Sequence, residues 1–194
     1  NIGSLENLLE NIDKKMHFIF SSSCTVYGQA DKMPIKEDFP IKKSESPYGE
    51  TKQICESILK KFCEANPLFN NITLRYFNPI GAHKSGMIGE LPLGKPENLV
   101  PFLTQTAIGK REQLVVFGDN YNTSDGTCIR DYIHIEDLAI VHVSCLEYLI
   151  QKKNKANYEF YNVGTGKGLS VLELINLFEK VNNCLLYTSP SPRD

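Results

Sequence analysis

The chain has 194 residues, 41% of them hydrophobic and 23% charged, with a formal net charge of −2. That size allows one sizeable domain or part of a larger protein, and the near-neutral balance removes any electrostatic reason to expect nucleic acid or an anionic membrane as partner. No apolar run approaches the roughly 20 residues of a membrane span, no signal peptide opens the chain, and the six cysteines lack the close CxxC pairing of a metal site, so reduced thiols in a cytoplasmic, metal-free protein are expected.

"SLENLLENIDKK" carries apolar residues at Leu5, Leu8, Leu9 and Ile12 behind a serine able to cap, the pattern of an amphipathic helix. "MHFIF" is a short apolar strand running into "SSSCTVYG", and a polar loop with Pro34, Pro40 and Pro47 follows. A second helix places Ile54, Ile58, Leu59 and Phe62 on one side and stops at Asn66-Pro67. "NITLRYF" is the next strand, after which Asn78-Pro79 and Gly81 turn the chain. Alternating helices and strands of this kind predict βαβ units on a parallel sheet.

Beyond Gly81 a loop rich in Gly and Pro runs to about Asn98. A helix ("LVPFLTQTAIG"), a strand ("QLVVFG"), a polar excursion ("DNYNTSDGTC") and a strand ("IRDYIHI") come next. "EDLAIVHVSCLEYLI" reads as a helix with an acidic first turn. "EFYNVGTG" reads as a strand ending in a glycine turn, and "SVLELINLFEKV" as a capped amphipathic helix. There are no internal repeats. The fold class expected is α/β: part of a doubly wound, Rossmann-like parallel sheet interleaved with a smaller substrate-binding region. The chain does not open with Met, and its last ten residues turn Pro/Ser-rich without periodicity, so 185–194 is set aside as a tail of foreign origin.

The chemistry sits in "SPYGETK". Tyr48 and Lys52 are four apart and share a helix face. A phenol titrates near 10, too high for a base at neutral pH, and a nearby cation lowers that value by stabilising the phenolate. The pair could then exchange a proton with a substrate hydroxyl; a solvated face with chance spacing is the plain alternative. Upstream, "SSSCTVYG" puts small hydroxyls at a strand's C-terminal end, where open α/β sheets bind ligands. Ser23 could hydrogen-bond the same hydroxyl as Tyr48, or merely form a turn. Arg130 interrupts an apolar strand and suits a diphosphate bidentately, with a salt bridge to Asp131 or Asp137 as the alternative. Asn98 stands where a helix begins, a place for phosphate or for a simple cap. His83 and His134 read as structural.

Strand-SSS followed by YxxxK resembles the short-chain dehydrogenase/reductase superfamily in its extended, sugar-nucleotide branch. Within that branch "FIFSSSCTVYG", "SPYGETK", "LRYFNPIGAH", "NLVPF", "VVFG", "DGTCIRDYIHIEDLA" and "YNVGTGKGLSVLELI" resemble the UDP-glucose 4-epimerase family, from Gly3 to about Val181. The resemblance implies NAD as cofactor and a UDP-sugar as partner, with UDP-glucose and UDP-galactose interconverted by transient oxidation at sugar C4. It implies Tyr48 as acid/base, Ser23 beside it and Lys52 on the nicotinamide ribose. Ser21, Ser22, Tyr76 and Phe77 are implied on the cofactor side, either aromatic being readable as core instead. Asn78, Asn98, Leu99 and Arg130 fall to the sugar or diphosphate, and Val115, Val116 and Phe117 to the uracil, although a plain core strand would look the same. A full-length homodimer is expected.

On that resemblance, residues 1–80 are the C-terminal half of an NAD-binding domain carrying the catalytic motif. Residues 81–184 are the substrate region plus returning Rossmann elements. Related 4,6-dehydratases and decarboxylases need a carboxylate beside the serine, where this chain has Ser23-Cys24-Thr25. No glycine-rich pyrophosphate turn is visible, since "GTGKG" at 164–168 comes too late. The expectation is an internal fragment that alone binds NAD poorly and turns over little; a non-catalytic sugar-nucleotide binder is the competing class.

Overall fold

The computed structural model describes residues 1–186 and the backbone of 188–191. In chain order the elements are α1 (Ile2–Asn11), β1 (His17–Ser23), a 3-10 turn (Cys24–Tyr27), α2 (Pro47–Ala65), β2 (Asn70–Tyr76), β3 (Asn78–Ile80), α3 (Leu99–Ala107), β4 (Leu114–Phe117), β5 (Ile129–His134), α4 (Ile135–Ile150), β6 (Tyr158–Val163), β7 (Gly168–Ser170), α5 (Val171–Asn182) and β8 (Thr188–Ser191). They fall into two compact units, Asn1–Phe77 with Asp137–Gly164, and Asn78–Glu136 with the residues from Thr165 onward.

The first unit holds a parallel sheet in the order β1-β2-β6. Parallel strands need long crossovers; α2 supplies the first, and the second returns through α4. Helix α2 starts where its sequence directs. Ser46 is extended and its Oγ accepts the Gly49 N–H at 3.1 Å. Pro47 occupies the first helical position, where a missing N–H costs nothing. The helix stops at Asn66 because Pro67 cannot continue it. Its inner face buries Cys55, Leu59 and Cys63 against Leu5 and Leu9 of α1 and Phe69, whose ring meets Phe62 edge-on at 4.9 Å. All six cysteines are thiols. Ser4, read as a cap, lies inside α1, and Asn1 takes the capping position without a side-chain hydrogen bond.

Parallel register pairs Ser22 with Arg75 and Ser23 with Tyr76. Arg75 is 3% exposed on β2 and forms an ion pair with Glu56 of α2, Nη2 to Oε2 at 2.6 Å, with Nε near both carboxylate oxygens. Ser22 Oγ donates to Glu56 Oε1 at 2.6 Å. Arg75 Nη1 donates to the Tyr27 hydroxyl at 2.9 Å, and that hydroxyl donates to Asn162 Oδ1 at 2.7 Å. A buried ion pair is tolerable only when its remaining donors and lone pairs are met in this way.

In the second unit β3 lies parallel and β7 antiparallel to β5. The stretch set aside as a tail contributes backbone: β8 runs parallel to β4. Ser170 and Glu173 form a reciprocal capping box at the start of α5, and the Ser170 hydroxyl also donates to Asp125. Leu103, Leu114, Val116 and Ile175 form this unit's core. Among the described residues no helix is long and apolar enough to cross a membrane.

The two units can be probed apart. Leu59→Ala removes a fully buried side chain from the first and is expected to cost about 2–5 kcal/mol. Ser170→Ala removes a cap from the second at about 1 kcal/mol. Native-state hydrogen exchange should show the first loss in α2 amides and the second in α5 amides.

Candidate active site

Strand β1 runs through all three serines, so they stand at the C-terminal edge of the sheet. The chain then enters the 3-10 turn with Ser23 as its cap, its Oγ accepting from Thr25 N–H and Thr25 Oγ1–H at 3.3 and 3.0 Å. Against this turn lies the first turn of α2. A Cβ at Gly49 would stand 2.2 Å from Ser44 Oγ and 3.1 Å from the Thr25 carbonyl oxygen. Only glycine permits that approach, which brings Tyr48 to the strand end.

Tyr48 is 47% exposed, on the open side of this corner. Lys52, one turn on, donates to the Ser21 carbonyl oxygen at 2.7 Å and lies 5.0 Å from the Phe20 ring centroid and 5.5 Å from that of Tyr48. Burial pushes the Tyr48 phenol above its ordinary value, the Tyr76 phenol and Cys24 thiol add to that, and the Ser23 hydroxyl works against it. Burial holds the Lys52 ammonium below its ordinary value, with nearby Cys55 and Glu56 working against it. The expectation that Lys52 by itself acidifies the phenol is therefore not met: its ammonium is aimed at the Ser21 carbonyl and lies over the ring. One of its three N–H donors is spent there, so two can meet hydroxyls such as those of a ribose. On that donor set, Lys52 and Tyr48 fit the nicotinamide-ribose end of NAD.

The three serines separate by strand alternation. Ser22, expected beside the cofactor, turns its buried hydroxyl to Glu56, leaving only its backbone for a ligand. Ser21 Oγ faces His142 Nε2 at 3.3 Å, while His142 Nδ1 bonds the Leu138 carbonyl at 2.8 Å, which leaves Nε2 as the acceptor. The His142 ring also lies 6.4 Å from that of Tyr76. Tyr76 and Phe77 are both half-buried at the strand end, and Phe77 N–H donates to the Val163 carbonyl at 3.1 Å. The first unit thus gathers Ser21, Ser23, Tyr48, Lys52 and Tyr76.

The other candidates belong to the second unit. Asn78 opens β3 opposite Tyr132. Asn98 precedes α3 without a side-chain cap bond, so its side chain is not spent on the helix. Leu99 and Val116 pack in the core with Leu103. Val115 is half-buried, and Phe117, 52% exposed, presents an aromatic face. Arg130 is exposed, its Nη1 donating to the Ile129 carbonyl at 2.9 Å, and it forms no ion pair among the described residues. Asp131 instead accepts from Thr165 and Gly166.

Glu56, Arg75 and His142 escaped the sequence reading. Each had a signal: an acid four residues past Lys52 on an apolar helix face, an arginine inside an apolar strand, and a histidine in the apolar stretch "LAIVHV".

Removing the Ser23 hydroxyl takes away a bond that stabilises the phenolate, so Ser23→Ala should raise the Tyr48 midpoint further. Labelling tyrosine at Cζ and following its carbon resonance with pH reads this directly. An unchanged or lowered midpoint contradicts the geometry.

The model of the NAD dependent epimerase/dehydratase family matches residues 1–164. The chain is 50% identical over 176 residues to the UDP-glucose 4-epimerase of Erwinia amylovora, covering 91% of this chain and 51% of that one. It is 52% identical over 164 residues to that of Bacillus subtilis, covering 84% and 47%. Among solved structures, UDP-glucose 4-epimerase from Bifidobacterium longum in complex with NAD+ and UDP superposes with a TM-score of 0.84 at 44% identity, over 91% of this chain and 52% of that one. The Brucella ovis enzyme in complex with NAD gives 0.89 at 36% identity, over 100% and 58%. The chain spans about half the length of the curated relatives it matches. With its α/β fold and the Ser23–Tyr48–Lys52 corner, the chain belongs to the NAD dependent epimerase/dehydratase family.

Proposed function

We propose that this chain carries the catalytic corner of an NAD-dependent UDP-hexose 4-epimerase that interconverts UDP-glucose and UDP-galactose. The observation that supports this most is the meeting of Tyr48 and Lys52 with the Ser23 strand end, in a chain about 50% identical to enzymes of that name.

The residues divide the work. Tyr48, as phenolate, takes the proton of the sugar 4-hydroxyl when C4 is oxidised and returns it when C4 is reduced. Ser23 hydrogen-bonds the same oxygen and stabilises the phenolate. Lys52 holds a ribose through its two unspent donors and adds positive potential beneath the ring. When bound, NAD would be held at its nicotinamide ribose by Tyr48 and Lys52 and would supply hydride-transfer chemistry at C4 together with a positive charge in its oxidised form.

On the substrate side the α3 amide end at Asn98, Arg130 and the Phe117 face are the groups suited to a uridine diphosphate. Leu99 and Val116 act there through packing. The absence of a carboxylate among Ser23, Cys24 and Thr25 favours redox at C4 over 4,6-elimination. A homodimer, a cytoplasmic setting suited to six thiols, and a role in galactose metabolism complete the reading.

The test uses a full-length protein carrying this chain, assayed for conversion of UDP-galactose to UDP-glucose. Tyr48→Phe should lower kcat by about 10²–10⁴-fold, the contribution typical of a positioned acid/base. Undiminished turnover overturns the assignment. The 194-residue chain by itself is expected to purify without stoichiometric NAD.

A further inference from the structure

We propose that Glu56 and Arg75 are positioning residues for the Ser23–Tyr48–Lys52 corner: their buried ion pair fixes how α2 slides and rotates over the ends of β1 and β2, and so holds the phenol and the ammonium at the strand end.

Tyr48, Lys52 and Glu56 are spaced four apart and form one stripe along α2. Each turn of that stripe meets the strand end. Lys52 reaches the Ser21 carbonyl, and Glu56 accepts from the Ser22 hydroxyl one residue further along β1. Ser22 and Arg75 are register partners on adjacent strands, so the Glu56 carboxylate is tied to β1 and β2 together. The fork from Arg75 is directional, with Nε and Nη2 both on the carboxylate. A helix displaced by one residue moves about 1.5 Å along its axis, which breaks all of these bonds at once.

The guanidinium is itself held. It lies 4.1 Å from the Phe160 ring centroid and donates to Tyr27, which is bonded to Asn162 of β6. Asn162 N–H donates to Glu37 Oε1 at 2.8 Å and its side chain to the Ile35 carbonyl at 3.1 Å. The network thus ties α2 to all three strands and to the loop before it. Apolar contacts along α2 would tolerate sliding because each is weak and non-directional. Replacing a buried pair with apolar side chains is often neutral or stabilising, so stability alone does not explain the pair. Setting the position of a proton-exchanging phenol does.

The consequence for turnover rests on the proposed function, but the geometric claim is tested without turnover. In a full-length protein carrying this chain the double variant Glu56→Met/Arg75→Met keeps side-chain volume while removing the fork. NMR cross-peaks between the Tyr48 ring and the Ser23 side chain, and between the Lys52 side chain and the Phe20 ring of β1, are read in parent and variant. Leu59→Ala serves as a control that loses stability without touching the pair. The proposal expects a folded double variant with both sets of cross-peaks lost, while Leu59→Ala retains them. Parent-like cross-peaks in the folded double variant overturn it. Should the double variant fail to fold, Glu56→Gln decides: weakened cross-peaks uphold the proposal, and parent-like cross-peaks overturn it.

Discussion

The first unit is organised around one buried carboxylate. Glu56 sits on the inner face of α2 among Cys55, Leu59 and Cys63, where an unpaired charge would be intolerable. Arg75 meets it from the middle strand and Ser22 from the edge strand. These bonds are obligatory once both charges are inside, so they constrain where α2 lies on the sheet. Lys52 and Tyr48 precede Glu56 by one and two turns and inherit that placement.

The second constraint acts at the helix start. Ser46 caps, Pro47 pre-sets the first turn, and Gly49 lets the helix approach the Thr25 turn more closely than a Cβ would allow. Tyr48 therefore reaches the strand end from a rigid element, yet keeps half its surface open. Burial raises the phenol above its ordinary value, and the Lys52 ammonium is aimed at the Ser21 carbonyl.

Much of this was legible in the sequence because it follows local rules. The Ser46-Pro47 start of α2, its stop before Pro67 and the Ser170–Glu173 box are written in neighbouring residues, whereas the meeting of Tyr48 with the serine edge is implied by the family resemblance. What was not legible depends on pairing across the chain. Arg130 stands out in the sequence as an arginine interrupting an apolar strand, and so does Arg75, which is buried where Arg130 is exposed. Periodicity cannot separate these two, since burial depends on strand order and both strands look apolar. Ser22 looked like its neighbours until alternation and the position of Glu56 turned it inward. Val116, read as a ligand platform, is core because α3 and α5 cover its strand. Segment 188–191 has no periodicity of its own, and backbone pairing to β4 needs none.

The proposed chemistry requires Tyr48 and Ser23 to act on one sugar oxygen. The most direct measurement is a crystal structure of a full-length protein carrying this chain, with NAD and UDP-glucose bound. The phenol oxygen of Tyr48 and Ser23 Oγ should both lie within hydrogen-bonding distance of the sugar 4-oxygen. A bound sugar whose 4-oxygen touches neither, or a phenol turned to the far side of the sheet from Ser23, contradicts the account.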